Sequence, residues 1–254
     1  QDYLQYKKRA VNRSARRNIL CAEWLQSATQ GLTMKHGIFI TFEGPEGSGK
    51  TTHSKLLCEF LRKKGYKVLH TREPGGTLVS EKIRKILLDP ENKGMDVACE
   101  MLLYMAARAQ IVKQKILPAL AQGKIVVCDR FTDATLAYQG YAGGMDLKVI
   151  ENIAGIVTKG LRPDVTFLLD IEARAGLLRT GRSKDRMERK SMLYHNKVRS
   201  GYLSIARKEP KRVKVISATG EINKTQELIR RIILSNYKQQ IPNRSQYTNN
   251  KLQN

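Results

Sequence analysis

The sequence is short of cysteine, of long apolar runs and of acids, and each shortage narrows what the chain can be. Its four cysteines, Cys21, Cys58, Cys99 and Cys128, are scattered with no CxxC pair. That argues against a disulfide framework or a zinc site and fits a reducing, cytoplasmic setting. No apolar run approaches the length needed to span a bilayer. The first residues are basic but lack the apolar stretch and small-residue cleavage site of a signal peptide. Acids number 23 against 46 Lys and Arg, a net charge of +23. Residues 1–33 carry six basic residues against two acids and residues 236–254 carry three against none, which leaves +16 between them. Such a surplus suits nucleic acid or small phosphorylated ligands, and equally a solvated basic surface. Charge alone narrows little.

What is present is a regular alternation. GIFITFE (37–43), YKVLHTRE, KIVVCDRF (124–131), DVTFLLDI (164–171) and VKVISA read as short buried strands. Between them lie segments of helical period, beginning with TTHSKLLCEFLRKK, which Gly65 stops. Further helices are expected over SEKIRKILLD, from Val97 to Ala121 with a kink near Pro118, over Leu147 to Thr158, over EARAGLLR, to about Arg207, and over NKTQELIRRIIL. This pattern predicts an α/β fold, one doubly wound sheet of about five parallel strands flanked by helices. Residues 1–33 read as a basic extension, with Met34 the expected natural start and 34–235 the folded domain. The polar stretch 236–254 is expected to be disordered.

The segment FEGPEGSGKTT (42–52) follows the first strand and opens the first helix. Gly44-x4-Gly49-Lys50-Thr51 fits a phosphate-binding P-loop. Glycines let backbone N–H groups converge on phosphate oxygens, and the helix N-terminus adds favourable field. Pro45, Glu46, Gly47, Ser48 and Thr52 complete the cradle, Lys50 is expected to reach the terminal phosphates, and the Thr51 hydroxyl stands where a Mg²⁺ ligand is needed. A nucleoside triphosphate with magnesium is therefore the expected ligand. The acceptor stays open at this point: water, a nucleotide or a metabolite. Glu46 is odd, an acid inside a cradle for anions.

Other segments fall at the carboxyl ends of strands, where open α/β sheets place ligands. The second strand ends in Thr71-Arg72-Glu73-Pro74-Gly75-Gly76, the third in Asp129-Arg130-Phe131, followed by AYQG (137–140). Arg72 and Arg130 together can clamp a monophosphate. Tyr104 and Arg108, four apart on a helix, can stack a base and bond its edge. With FEGPEGSGKTT, TREPGGT, the AAR of YMAARAQ, DRFTDATLAYQG, RPDVTFLLD and DRMERKSMLYHNKVRSGYL, the stretch from Met34 to Leu234 resembles bacterial thymidylate kinase.

The resemblance implies a dimeric enzyme that transfers the γ-phosphoryl of ATP to dTMP with Mg²⁺, in dTTP biosynthesis. It places Arg72 and Arg130 on the dTMP phosphate, Tyr104 where the family stacks a phenylalanine on thymine, and Arg108 on the thymine edge. Thr135 and Gln139 would line the base pocket, Tyr138 would pack near the sugar C2′, and Ser217 to Gly220 would back the adenine. Asp129, Thr51 and Glu46 would lie near the magnesium, Glu46 turned to the acceptor's 3′-hydroxyl. Ala134 departs from the serine usual in that loop, and Tyr104 from phenylalanine. Some relatives carry a basic residue within the P-loop; here positions 45–48 have none. Phosphoryl transfer needs positive charge at the migrating group, so a lid over about 179–190 is expected to supply it through Arg182 or Arg186. Two other readings stay open: a P-loop kinase of another (deoxy)nucleoside monophosphate, and a nucleic-acid-stimulated ATPase. The pocket residues have no purpose under the second, so neither nucleic acid nor membrane is an expected partner.

Overall fold

The computed structural model describes residues 37–181 and 185–237. The expectations for residues 1–33, for Arg182 and for the tail beyond Tyr237 lie outside them. Five strands, β1 (Phe39–Glu43), β2 (Val68–Arg72), β3 (Ile125–Asp129), β4 (Val165–Asp170) and β5 (Val213–Ser217), form one parallel sheet in the order β2-β3-β1-β4-β5. Every residue of β1 and β3 is buried, which is why these runs are mostly apolar rather than alternating. In the central strand Thr41 lies opposite Cys128 on one side and Thr166 on the other. Its hydroxyl meets that of Thr166 at 2.7 Å, so the buried polar pair is satisfied.

The crossovers supply α1 (Lys50–Lys63), α2 (Leu78–Leu88), α3 (Val97–Ile111), α4 (Leu117–Ala121), α5 (Thr132–Thr135), α6 (Leu147–Thr158), α7 (Ala173–Arg179), α8 (Met192–Lys208) and α9 (Ile222–Tyr237). Leu57 and Leu61 of α1 and Ile229 and Ile233 of α9 pack with Ile40, Phe42 and Phe167 on one face of the sheet. Ile111, Ile116 and Leu120 pack with Phe39, Val126 and Cys128 on the other. Truncating one of these large side chains to alanine would cost about 3–5 kcal/mol.

Two local features go beyond the sequence pattern. The long helical segment widens into a π-type turn over Val112–Ile116, just before Pro118. The proline ring lacks an N–H and crowds the preceding carbonyls, and a wider turn relieves both. The stretch after Asp129, to which the sequence pattern assigns no element, is helical: α5 continues into a wide turn over Leu136–Ala142. Tertiary packing holds it there, because Ala137, Tyr138 and Tyr141 lie against Val198 and Tyr202 of α8. The approach is close enough that a Cβ on Gly201 would sit 2.7 Å from that of Tyr141.

Candidate functional site

The loops after β1, β2 and β3 converge at the carboxyl edge of the sheet. There α1 begins differently from four of the longer helices. Helices α2, α3, α6 and α8 are capped by the side chains of Thr77, Asp96, Asp146 and Ser191. Helix α1 starts at Gly49, at φ 85, with no side-chain cap. Its first N–H groups are thus left to a ligand, and an anion suits them. Gly47 is forced by its surroundings: at φ 67, a Cβ there would lie 1.9 Å from the Gly176 carbonyl oxygen. Lys50 Nζ donates to the Pro45 carbonyl at 2.6 Å and to Ser48 Oγ at 3.2 Å, folded back over the loop. Burial, aided by the like charge of Arg130, lowers its ammonium to about 8 despite the nearby acids. Thr51 Oγ1 donates to Asp129 Oδ2 at 2.5 Å. Two hard oxygen donors side by side at a phosphate cradle suit Mg²⁺, which keeps waters and phosphate oxygens for its remaining positions.

Arg130 follows β3 and is held in the left-handed region at φ 71. Its N–H reaches the Phe42 carbonyl, and the next N–H, of Phe131, donates to Glu43 Oε1 at 2.6 Å. These bonds fix a backbone conformation that arginine rarely adopts. The guanidinium then points back over the P-loop. Nη1 donates to the Gly44 carbonyl at 3.1 Å and to Tyr202 Oη at 3.0 Å; Nη2 donates to Glu46 Oε1 at 2.8 Å and to Tyr138 Oη at 3.1 Å. Tyr138 in turn donates to Glu46 at 2.7 Å, and Tyr202 to Glu43 Oε2 at 2.8 Å. Burial opposes the charge of Glu46, but Arg130, Lys50 and the Tyr138 hydroxyl together pull its carboxyl down to about 2. Glu43 goes the other way: burial, with the charge of Asp133, raises it to about 8.

Two hollows meet at this cluster. One is lined by Tyr104, Thr135, Tyr138 and Gln139, the other by Gly47, Lys50, Thr51, Thr52, Arg72 and Asp129. Glu46, Glu73, Arg84, Arg130 and Asp185 line both. An aromatic slot thus opens onto a phosphate cradle across a wall that carries two arginines.

The family model for thymidylate kinase matches residues 42–229. The chain belongs to the thymidylate kinase family. It is 48% identical over 197 residues to the thymidylate kinase of Symbiobacterium thermophilum, covering 77% of this chain and 92% of that one. The thymidylate kinase of Syntrophotalea carbinolica is 50% identical over 193 residues, with 73% and 89% covered. Among solved structures, the thymidylate kinase of Ehrlichia chaffeensis matches with a TM-score of 0.65 at 38% identity, over 78% of this chain and 98% of that one. The chain is therefore an enzyme, a kinase that phosphorylates dTMP.

Seen as a thymidylate kinase, the fold gathers most of the expected residues and displaces two of them. Arg108 lies behind the base slot rather than in it. Its Nε bonds Glu73 at 2.6 Å, Nη1 bonds Thr135 Oγ1 at 2.9 Å and Nη2 the Phe131 carbonyl at 2.9 Å, all buried. In this arrangement it meets the slot through Thr135, not at a base edge. Arg186 is turned away from the phosphates: it is 3% exposed, pairs with Glu100 at 2.5 Å and bonds the Leu87 carbonyl at 2.7 Å. Its guanidinium is committed there because a buried arginine needs a carboxylate. Glu46 lines the hollow of Thr51 and Asp129 and is held by Arg130 and Tyr138. Among the expected lid residues, Arg179 bonds the Ala218 carbonyl at 3.0 Å and so ties the end of α7 to the Ser217–Gly220 turn.

Arg84 was missed by the sequence reading. It lines both hollows and donates to the Pro74 carbonyl at 2.9 Å. The signal was local: Arg84 stands three residues after Glu81 on α2, so both share the face turned to the TREPGG loop. Glu81 accepts there from Gly76 N–H at 2.8 Å and from Arg72 at 3.1 Å. Glu43, Glu100 and Tyr202 had no such local signal.

Proposed function

We propose that the chain transfers the γ-phosphoryl of ATP to dTMP, giving ADP and dTDP in dTTP biosynthesis. The observation that carries this is the shared wall. Arg130 faces the P-loop through Gly44 and the aromatic slot through Tyr138. A phosphate oxygen of dTMP forms the new bond to the γ-phosphorus while the bond to the bridging oxygen of ADP breaks. The attacking oxygen of dTMP is already anionic, so no general base is needed, and the protein's task is to position and to offset charge. Lys50 and the open amides of α1 hold the donor phosphates. Arg130 and Arg72 hold the acceptor phosphate, with Arg84 beside them. Tyr104 stacks the base, Tyr138 sits against the sugar, and Thr135 and Gln139 read the base edge. Thr51 and Asp129 would hold Mg²⁺, which when bound neutralises charge on the donor's terminal phosphates. Charge at the migrating group is assigned to Arg182, which stands in sequence between Arg179 and Asp185.

A homodimer in the cytoplasm is the proposed working state. Support for the dimer comes from exposed apolar side chains on two helices that pack together: Leu102 of α3, and Val149 and Ile156 of α6. The free thiols of Cys58, Cys99 and Cys128 suit a reducing compartment. Coupled ADP release should be rapid with dTMP and ATP-Mg, slower with dUMP, and near background with dCMP, dGMP or thymidine. Turnover of dCMP or dGMP above dTMP would overturn the acceptor assignment. ATP hydrolysis stimulated by DNA without dTMP turnover would replace the reading altogether. Arg182→Ala should lower kcat far more than it raises the KM for dTMP.

A further inference from the structure

The base slot is lined on one side by Gln139, whose side chain is buried and whose amide has two chemically opposite ends. Which end faces the slot decides which pyrimidines are accepted. Gln139 Nε2 donates to Glu100 Oε1 at 2.7 Å. The other carboxylate oxygen, Oε2, pairs with Arg186 Nη1 at 2.5 Å, with both side chains 3% exposed. A carboxylate held by a buried arginine only accepts hydrogen bonds, so the amide nitrogen must turn toward it. The amide is planar; with Nε2 held by Glu100, Oε1 is the end left for the slot. Glu100 stands in the first turn of α3, where the helix field favours a carboxylate. Arg186 is locked by its Nε bond to the Leu87 carbonyl and by its own N–H to the Leu88 carbonyl.

We infer that Glu100 is the residue that sets pyrimidine specificity, by fixing the Gln139 amide with its oxygen toward the base. This rests on the reading that the base enters the Tyr104–Gln139 slot. An acceptor there matches the N3–H of thymine or uracil. Cytosine offers a lone pair at N3 and meets that oxygen with repulsion. Rotating the amide to suit cytosine would turn its oxygen onto the Glu100 carboxylate, so the wrong base is refused by a residue it does not touch. Arg186 acts one step further out, as the cation that holds the Glu100 side chain in place.

Glu100→Gln removes this constraint, since an amide at 100 can face Gln139 with either end. Because it leaves Arg186 without its carboxylate, the paired variant Glu100→Gln/Arg186→Met is measured beside it, and thermal melting shows which of them folds. In both, the ratio of kcat/KM for dTMP to that for dCMP should fall at least about tenfold, with kcat at saturating dTMP within about threefold of the parent. A rise in the KM for dTMP with that ratio unchanged would overturn the inference and leave Glu100 a structural residue. Gln139→Leu serves as the control for the slot itself. It should raise the KM for dTMP about tenfold; no change would overturn the placement of the base, and the inference with it.

Discussion

Replacing Glu46 by glutamine removes a charge and almost no volume, and so isolates what the carboxylate in the P-loop does. Burial would push that carboxyl up, yet Arg130, Lys50 and the Tyr138 hydroxyl bring it from 4.5 down to about 2. At about 1.4 kcal/mol per pH unit, this displacement corresponds to roughly 3 kcal/mol of folded-state stabilisation at neutral pH. The folded value lies below the unfolded one. The contribution is therefore complete above 4.5 and is lost as pH falls toward 2. By about pH 3 less than half of it remains. Glu46→Gln should unfold about 6–12 °C lower than the parent at pH 7, and the gap should close steadily below about pH 4. In activity, the amide keeps one acceptor for Tyr138 but loses the charge that holds Arg130 in place. The KM for dTMP should rise about tenfold while ATP binding stays within about twofold. Melting curves from pH 7 to pH 3, with separate titrations of dTMP and ATP, test both halves. Equal stability at pH 7 would refute the argument. So would a gap of constant size down to pH 3, which would mean packing and not charge.

Other outcomes follow from the same geometry. Arg72 and Glu81 are 51% and 40% exposed, so Arg72→Ala should cost less than about 1 kcal/mol in a urea titration while raising the KM for dTMP at least about tenfold; the reverse pattern would make Arg72 structural. Lys50 is lowered to about 8 in the folded chain, against 10.5; deprotonation favours the fold between those values, but kcat/KM for ATP should fall as pH rises through 8. A profile flat to about pH 9.5 would sink that assignment. Gly47→Ala forces a Cβ within 1.9 Å of the Gly176 carbonyl oxygen, so the loop must shift; the KM for ATP should climb at least about tenfold and stability drop by about 1–3 kcal/mol.

The sheet and the P-loop were legible because their determinants are local. A buried parallel strand must be continuously apolar, and a phosphate cradle between strand and helix must carry glycines at fixed spacing. Leu147–Thr158 came out with both boundaries as read, since its N-cap Asp146 and its periodicity lie in one window. The 136–142 stretch was left unassigned because nothing local makes LAYQGYA helical; α8, some sixty residues on, does so by packing. Arg108 was given a free guanidinium because its partner Glu73 stands 35 residues away, and the Tyr202–Glu43 bond spans 159. Spacing says which residues share a helix face; it does not say which acid will meet which arginine across the sheet.

Those remote pairs also answer why acids stand inside an anion site. Arginines gathered without acids would repel one another and scatter, and a phosphate would have to order them on arrival. Instead each buried arginine of the cleft has its own carboxylate: Arg108 has Glu73, Arg130 has Glu46, and Arg186 has Glu100. The pairs hold each guanidinium in one orientation before any ligand enters, so less ordering is left to the moment of binding. The pairs differ in what they leave available. Arg108 and Arg186 are about as buried as their acids, whereas Arg130 and Glu46 are 16% and 19% exposed. Only that last pair stands at the wall shared by donor and acceptor, where a phosphate can join it. The surplus of +23 thus describes the chain as a whole, and the cleft is where its scarce acids are spent on geometry.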